Sequence, residues 1–150
     1  MQAVYFLPCG TLLLTFEDTI LTGLTVGGTP TLPSTPTAFS DQVHAEVLAY
    51  LQGKCRHFSF AYRAVGTSFQ QSVWTEITHV PYGETLSYRE LAARTGRPDA
   101  VRAVAGACSR NPIWFVIPCH RIIGSDGRLH GYAGGLVLKK QLLDLERQSR

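Results

Sequence analysis

The sequence predicts an α+β protein of two domains: residues 1–65 form a small antiparallel sheet with one helix, and residues 66–150 form a winged helix-turn-helix domain. Two observations predict this division. Strand-like runs fill residues 4–26, whereas helical patterns with start and stop signals follow residue 66. With 45% hydrophobic residues among 150, the chain can bury a core, which excludes a disordered or fibrous protein.

Three runs of branched and aromatic residues, separated by turn residues, predict an N-terminal antiparallel meander. These runs are residues 4–7, 11–16 and 20–26. A loop rich in Pro, Thr and Gly follows at 27–40. A helix is predicted over 41–52, because its apolar residues share one face and Gly53 can end it. Residues 58–62 predict one further strand.

Capping signals predict the first two helices of the second domain. Ser68, with Gln71 three residues later, favours a helix whose apolar stripe ends before Pro81. Ser87 with Glu90 forms a clearer capping box for the next helix.

The remaining elements complete the predicted winged domain. Gly96 ends the second helix, and a third is predicted from Pro98 to about Ser109, because proline suits the first turn. Two helices joined by a tight, glycine-containing turn are typical of a helix-turn-helix. An Asp-Gly turn within residues 122–129 predicts a small hairpin, which would be the wing. An amphipathic helix is predicted over 136–146.

Charge is distributed unevenly along the chain. Residues 1–65 carry three basic and four acidic residues, and residues 66–150 carry eleven basic and seven acidic ones, which indicates that the second half contacts a polyanion.

No segment reaches the roughly 18 consecutive apolar residues of a membrane helix, and residues 1–7 lack a signal-peptide pattern. We therefore predict a soluble, cytoplasmic protein, associated with the nucleoid if bacterial. Its four cysteines form no CxxC pair and are expected to be thiols.

The segment with the strongest chemical signal is Ile-Pro-Cys-His-Arg-Ile-Ile at residues 117–123. A thiol attacks carbon as a thiolate, so a cysteine nucleophile needs a base or a positive charge beside it. His120 and Arg121 follow Cys119 directly, and Pro118 restricts the backbone before it. Spacing alone leaves two interpretations open: a reactive Cys-His pair, or an inert buried thiol beside a surface imidazole.

The Pro-Cys-His-Arg string resembles the active-site signature of the O6-alkylguanine-DNA alkyltransferases, and the resemblance continues in order over residues 67–146. The other matching segments are 69–74, 80–83, 87–92, 100–104, 111–112, 131–136, Lys139 and 142–146. Residues 1–65 are similar to the family's N-terminal domain in size and strand-helix pattern, and the family's fold implies that this domain is RNase H-like.

The resemblance implies a DNA-repair protein that transfers an alkyl group irreversibly, once per molecule and without a cofactor, from O6 of a flipped-out guanine in duplex DNA to Cys119. His120 would act as the base through a water molecule, and Glu146 would orient the imidazole. Tyr88 would donate a proton at guanine N3. Asn111 would hold the active-site turn.

The resemblance also implies a binding surface for the minor groove of double-stranded DNA. Arg102 would fill the gap left by the flipped base, although a surface arginine that contacts phosphate is the commoner case. The implied DNA-contacting residues are Arg102, Ala103, Ser87, Tyr88 and Gly106. The implied substrate-binding residues are Tyr132, Ala133, Gly134 and Arg121. We expect a monomer that does not bind a membrane.

The chain departs from the family's pattern at two positions. Ala105 precedes Gly106 where two glycines are common, and His130 precedes Gly131 where small or polar residues are usual. No role is predicted for His130. Some members bind zinc in the N-terminal domain. The candidate donors here do not have zinc-site spacing, so no metal is predicted. These donors are Cys9, Cys55, His44 and His57.

Three alternative functions are open. A non-enzymatic lesion binder shares this architecture but lacks the nucleophile, so Cys119 favours the enzyme. A winged-helix regulator that senses alkylation through Cys119 would carry an added DNA-binding or dimerisation segment, which the sequence does not show. A cysteine hydrolase predicts repeated turnover and an oxyanion hole, for which the sequence gives no signal.

Overall fold

The computed structural model describes residues 1–149. Its contacts divide the chain into two compact units. The first unit contains Met1–Val65 together with Pro112–Trp114, and the second contains Gly66–Asn111 and the residues from Phe115 onward. Within residues 1–149, no helix combines the length and apolar character needed to cross a membrane.

The first unit is built on a four-stranded sheet in the order β1-β2-β3-β4. Strands β1 (Gln2–Leu7), β2 (Gly10–Glu17) and β3 (Ile20–Val26) pair antiparallel, so the predicted meander is confirmed. The strand predicted at 58–62 is shorter: β4 (Ala61–Tyr62) pairs parallel with β3. Ile113 forms an isolated parallel bridge to Leu24 of β3.

Helix α1 (Ala38–Leu51) begins three residues earlier than predicted. The reason is a capping box in which the Thr37 side chain accepts from the backbone of Ser40 and the Ser40 side chain accepts from that of Thr37. Gly53 follows the helix with a φ of 75°, as expected of a glycine stop. The core of this unit contains buried apolar residues of the sheet and of α1, which are Leu12, Leu14, Phe16, Leu21, Leu24, Phe39, Val43, Val47 and Tyr50.

The second unit is mainly helical. Its helices are α2 (Ser68–Thr78), α3 (Tyr88–Arg94), α4 (Val101–Ser109) and α5 (Leu136–Gln148). The Ser87–Glu90 capping box of α3 is confirmed. The box of α2 was predicted one residue too late, because Thr67 and Gln70 form it. The predicted start of α4 at Pro98 is also wrong: an Ala100 N–H to Arg97 carbonyl bond closes a turn there, and the helix begins at Val101.

The predicted hairpin at 122–129 forms only in part. A turn is present, because the Gly127 N–H donates to the Gly124 carbonyl and the Gly124 N–H donates to the Arg128 carbonyl. The strand β6 (Ile122–Ile123), however, pairs parallel with β5 (Leu86–Ser87) instead of with residues beyond the turn. This pairing buries Ile122 completely, whereas Arg128 is exposed, so burial of the apolar strand decides its partner.

Candidate active site

Cys119 lies at the start of a single turn of 3-10 helix, Cys119–Arg121, and its exposed fraction is 4%. Two hydrogen bonds to the carbonyl of Ile117 fix the chain that enters this turn. The Cys119 N–H donates to it at 2.8 Å, and the buried side-chain amide of Asn111 donates to it at 2.7 Å. Asn111 thus bridges the end of α4 to the turn that holds Cys119.

The two residues after Cys119 point into a buried network centred on Glu146 of α5. His120 Nε2 lies 2.7 Å from Glu146 Oε2. Arg121 donates to the same carboxylate through Nε at 2.8 Å and Nη2 at 3.0 Å, and Nη1 donates to the Val80 carbonyl at 2.8 Å. The Gly83 N–H also donates to Glu146 Oε1, at 3.2 Å. Because the carboxylate accepts Nε2–H, the neutral imidazole carries its lone pair on Nδ1, the nitrogen that can act as a base.

The electrostatics of the site keep the thiol protonated. Burial raises the pKa of Cys119 well above its ordinary value, and the contacting Cys108 thiol raises it further, while Asn111 and Lys139 lower it in part. Burial likewise lowers the pKa of His120, against the opposing effect of its carboxylate partner. At neutral pH the site therefore holds a thiol and a neutral imidazole, so any nucleophilic role of Cys119 would require a base to remove the thiol proton.

Lys139 is fully buried, and its hydrogen bonds connect β6 to the segment that follows it. Its Nζ donates to the carbonyl of Ile122 at 2.6 Å and to that of His130 at 2.8 Å. Burial lowers the pKa of Lys139 to about 8. No role was predicted for this lysine from the sequence. A signal was present, because Lys139 shares the apolar face of α5 with Leu142 and Glu146, at spacings of three and seven residues.

Tyr88 opens α3 beside the same segment. Its hydroxyl donates to the carbonyl of Gly131 at 3.3 Å, and Lys139 Nζ lies 5.5 Å from the centre of its ring. Burial, together with the nearby Cys108 and Cys119, raises the pKa of Tyr88. The phenol therefore keeps its proton across the neutral range and is available as a donor.

A pocket of about 770 Å³ lies beside Tyr88. Its walls come from α3, α4 and residues 124–133, and they include Arg102, Tyr132 and Ala133. Cys119 does not line this pocket. Its thiol is, however, near enough to Tyr88, which does line the pocket, to raise the pKa of that tyrosine. A pocket of this size falls in the range that accepts a small organic group, such as a base.

The residues expected to contact DNA lie on or next to α3 and α4. Arg102 and Ala103 are exposed, and Gly106 on the same helix is partly exposed, with open space where a β-carbon would lie. Ser87 differs, because it is 9% exposed and its hydroxyl accepts from the Glu90 N–H as the N-cap of α3.

Arg121 was expected to bind substrate. The structure instead places its guanidinium, 7% exposed, on Glu146 and the Val80 carbonyl, and it does not line the pocket. Gly134 is partly exposed and also lies outside the residues that line the pocket. Within residues 1–149, no group of three or more His, Cys, Asp or Glu side chains is placed to hold a metal ion.

Residues 68–148 match the family model described as "6-O-methylguanine DNA methyltransferase, DNA binding domain", which assigns the second unit to a class of DNA-binding methyltransferase domains. A methylated-DNA–protein-cysteine methyltransferase of Mycobacterium leprae is 42% identical over 146 residues, covering 93% of this chain and 88% of the relative. One from Methanosarcina barkeri is 49% identical over 108 residues, covering 72% and 68%. The chain belongs to the family of methylated-DNA–protein-cysteine methyltransferases.

Solved structures agree with this assignment. The crystal structure of Mycobacterium tuberculosis OGT in complex with DNA is 38% identical to this chain, with a TM-score of 0.91, and the match covers 99% of this chain and 93% of that one. The α+β fold of residues 1–149, with a small sheet and five α-helices, is thus that of these methyltransferases.

Proposed function

We propose that this protein repairs DNA by direct reversal, moving an alkyl group, methyl in the simplest case, from O6 of guanine to the Sγ of Cys119. The observation that carries the proposal is the placement of Cys119 on a hydrogen-bonded turn directly before His120, whose ring is held by the buried Glu146. The descriptions of the relatives support the same reaction, because they are named methylated-DNA–protein-cysteine methyltransferases.

The proposed reaction is a single displacement at the alkyl carbon. His120 takes the thiol proton through a bridging water, and Glu146 stabilises the imidazolium that forms. The sulfur–carbon bond forms as the carbon–O6 bond breaks, and guanine leaves with the bonding electrons. Tyr88 donates a proton to the ring at N3, which neutralises the developing charge. Asn111 holds the turn that presents the thiol.

We assign the ion pair of Arg121 and Glu146 a positioning role within this reaction. The guanidinium keeps the carboxylate ionised and fixed, and the carboxylate in turn orients His120. The residues proposed to contact the base and its alkyl group are Tyr132, Ala133 and Gly134. The first two line the pocket beside Tyr88, which supports their assignment.

The proposed substrate is double-stranded DNA, approached from the minor groove. The alkylated base is buried in the stack, so it must rotate out of the duplex to reach a buried thiol. Small residues on α4, including Ala103 and Gly106, allow this helix to approach the groove closely, and Arg102 would occupy the vacated space. Ser87 and Tyr88, at the start of α3, would contact the adjacent backbone.

We propose that the chain consists of two domains with separate roles. Residues 66–150 would form a winged helix-turn-helix domain that binds DNA and carries the reaction, with the 124–128 turn as its wing. Residues 1–65 would form an RNase H-like structural domain. We propose a cytoplasmic monomer that needs no cofactor and acts once per molecule, because water does not hydrolyse the carbon–sulfur bond of the thioether product to restore the thiol.

Intact-protein mass spectrometry tests this proposal. The protein is incubated with a duplex that contains one O6-methylguanine, beside Cys119→Ser and Cys108→Ser variants. We expect one added methyl group per chain in the wild type and in Cys108→Ser, and none in Cys119→Ser. Tight lesion binding without any adduct would instead identify a damage-recognition protein. Repeated turnover on an ester would identify a hydrolase.

A further inference from the structure

A second cysteine lies beside Cys119. Cys108, near the end of α4, is 7% exposed, and its side chain is hydrogen bonded to that of Cys119. A buried free cysteine ordinarily acts as a small apolar residue, but this one presents its sulfur to another sulfur. The two remaining cysteines, Cys9 and Cys55, belong to the first unit. Cys108 and Cys119 therefore form two neighbouring thiols within the second unit, which we call the dithiol pair.

Asn111 ties the backbones of the dithiol pair together. Its backbone N–H donates to the Cys108 carbonyl at 3.2 Å, and its side-chain amide donates to the Ile117 carbonyl at 2.7 Å. The same Ile117 carbonyl accepts the Cys119 N–H at 2.8 Å. These hydrogen bonds run from one cysteine to the other, so they keep the two side chains in contact. A disulfide needs sulfurs that can approach to about 2.05 Å, which a pair already in contact can reach by small movements.

Lys139 and Tyr88 lie near both thiols. The ammonium of Lys139 opposes the effect of burial on the pKa of Cys119, and both thiols act in turn on the pKa of Lys139. This positive charge stabilises a thiolate, which is the form of cysteine that an oxidant attacks. Tyr88, whose pKa both thiols raise, lines the pocket of about 770 Å³, so a small molecule in the pocket comes close to the dithiol pair.

We propose that the dithiol pair is a site of reversible oxidation, at which hydrogen peroxide converts the two thiols into a Cys108–Cys119 disulfide. The Cys119 thiolate attacks one peroxide oxygen and becomes a sulfenic acid, while the oxygen–oxygen bond breaks and the departing hydroxide takes up the thiol proton as water. The Cys108 sulfur then attacks the oxidised sulfur. The sulfur–oxygen bond breaks, and a second water leaves with the Cys108 proton. The two thiols thus give two electrons to one peroxide.

The disulfide would protect Cys119 as well as block it. A sulfenic acid without a neighbouring thiol is oxidised further to the sulfinic acid, which a thiol reductant does not reverse. A disulfide, in contrast, returns to two thiols by exchange with a dithiol. Its formation does not depend on the proposed alkyl transfer, but it would stop that reaction because Cys119 would no longer be free.

Peptide mapping tests the proposal directly. Reduced protein without DNA is treated with an equal amount of hydrogen peroxide, unfolded, blocked with a thiol-alkylating reagent and digested with trypsin without a reductant. Cleavage after arginine places Cys108 in the peptide 103–110 and Cys119 in the peptide 111–121. We expect these two peptides to be joined, with a mass two hydrogens below their sum. Methyl transfer by the oxidised sample should be roughly tenfold lower or less, and dithiothreitol should restore it.

Two cysteine variants separate the dithiol pair from general oxidation. Cys108→Ser should transfer methyl when reduced, but after peroxide it should carry added oxygen on Cys119 and should not recover with dithiothreitol. Cys108→Ala replaces it if the serine variant does not fold. The matched control is Cys9→Ser, which removes an exposed thiol and should behave as the wild type does.

The proposal is overturned if the wild type yields no joined peptide, or if Cys119 is joined to Cys9 or Cys55 instead. It is also overturned if Cys108→Ser recovers from peroxide as fully as the wild type. These outcomes are independent of the proposed function. If reduced wild-type protein gains no methyl group at Cys119, alkyl transfer is wrong, and the peptide map still decides whether the disulfide forms.

Discussion

Replacing Glu146 with glutamine tests the central network of the site, because the change removes one charge and preserves the shape of the side chain. Burial alone would raise the pKa of the Glu146 carboxyl, but the hydrogen bonds and charges of His120 and Arg121 outweigh it and hold that pKa well below its ordinary value. In Glu146→Gln the Arg121 guanidinium, 7% exposed, loses its counter-charge. Breaking a buried ion pair in this way typically costs about 3 to 5 kcal/mol.

Urea unfolding measures this loss, with Asp144→Asn as the matched control on the same helix. Asp144 pairs with Lys140 at 2.7 Å, but both side chains are more than a third exposed, so its loss should cost less than about 1 kcal/mol. Because the folded-state pKa of Glu146 is lowered, its contribution is present above the unfolded value of about 4.3 and is lost as the pH falls toward the folded value. The difference between wild type and Glu146→Gln should therefore shrink below about pH 4.3.

Alkyl transfer gives a second measurement on the same variant. Without the carboxylate, His120 loses the partner that selects its tautomer, so we expect the transfer rate to fall by roughly a hundredfold or more while lesion binding is retained. A loss of stability no larger than that of Asp144→Asn, together with an unchanged transfer rate, would refute the reasoning.

Three further predictions concern separate elements. Because the pKa of buried His120 is lowered, the unfolded state takes up a proton before the folded state does as the pH falls below about 6.5. The free energy of unfolding should therefore decline by up to about 1.4 kcal/mol per pH unit below that pH. In urea unfolding, His120→Asn should reduce this slope. Tyr88→Phe should slow transfer by roughly a hundredfold, far more than it weakens binding in a duplex-binding assay, and equal rates would contradict its role as donor. Thr67→Ala should cost about 1 kcal/mol in thermal unfolding and Ser68→Ala almost nothing, and the reverse order would mean that Ser68 caps α2.

Local signals in the sequence were enough to place several elements of the fold. The runs of branched and aromatic residues predicted the meander, and the Ser87–Glu90 box marked the start of α3, because both depend on residues within a few positions of each other. Where a neighbouring residue offered a second cap, as Thr67 does beside Ser68, the sequence could not choose between them.

The same dependence on neighbouring residues explains which parts of the candidate site could be predicted. The contiguous cysteine, histidine and arginine of residues 119–121, together with the family resemblance, pointed to the proposed nucleophile and its proposed base. The sequence by itself thus determined which local elements form and which cysteine is set apart. The tertiary structure alone decided that Arg121 pairs with Glu146, that β6 pairs with β5, and that Lys139 is buried. These outcomes depend on which side chains, distant along the chain, are packed together and removed from water, and no short stretch of sequence contains that information.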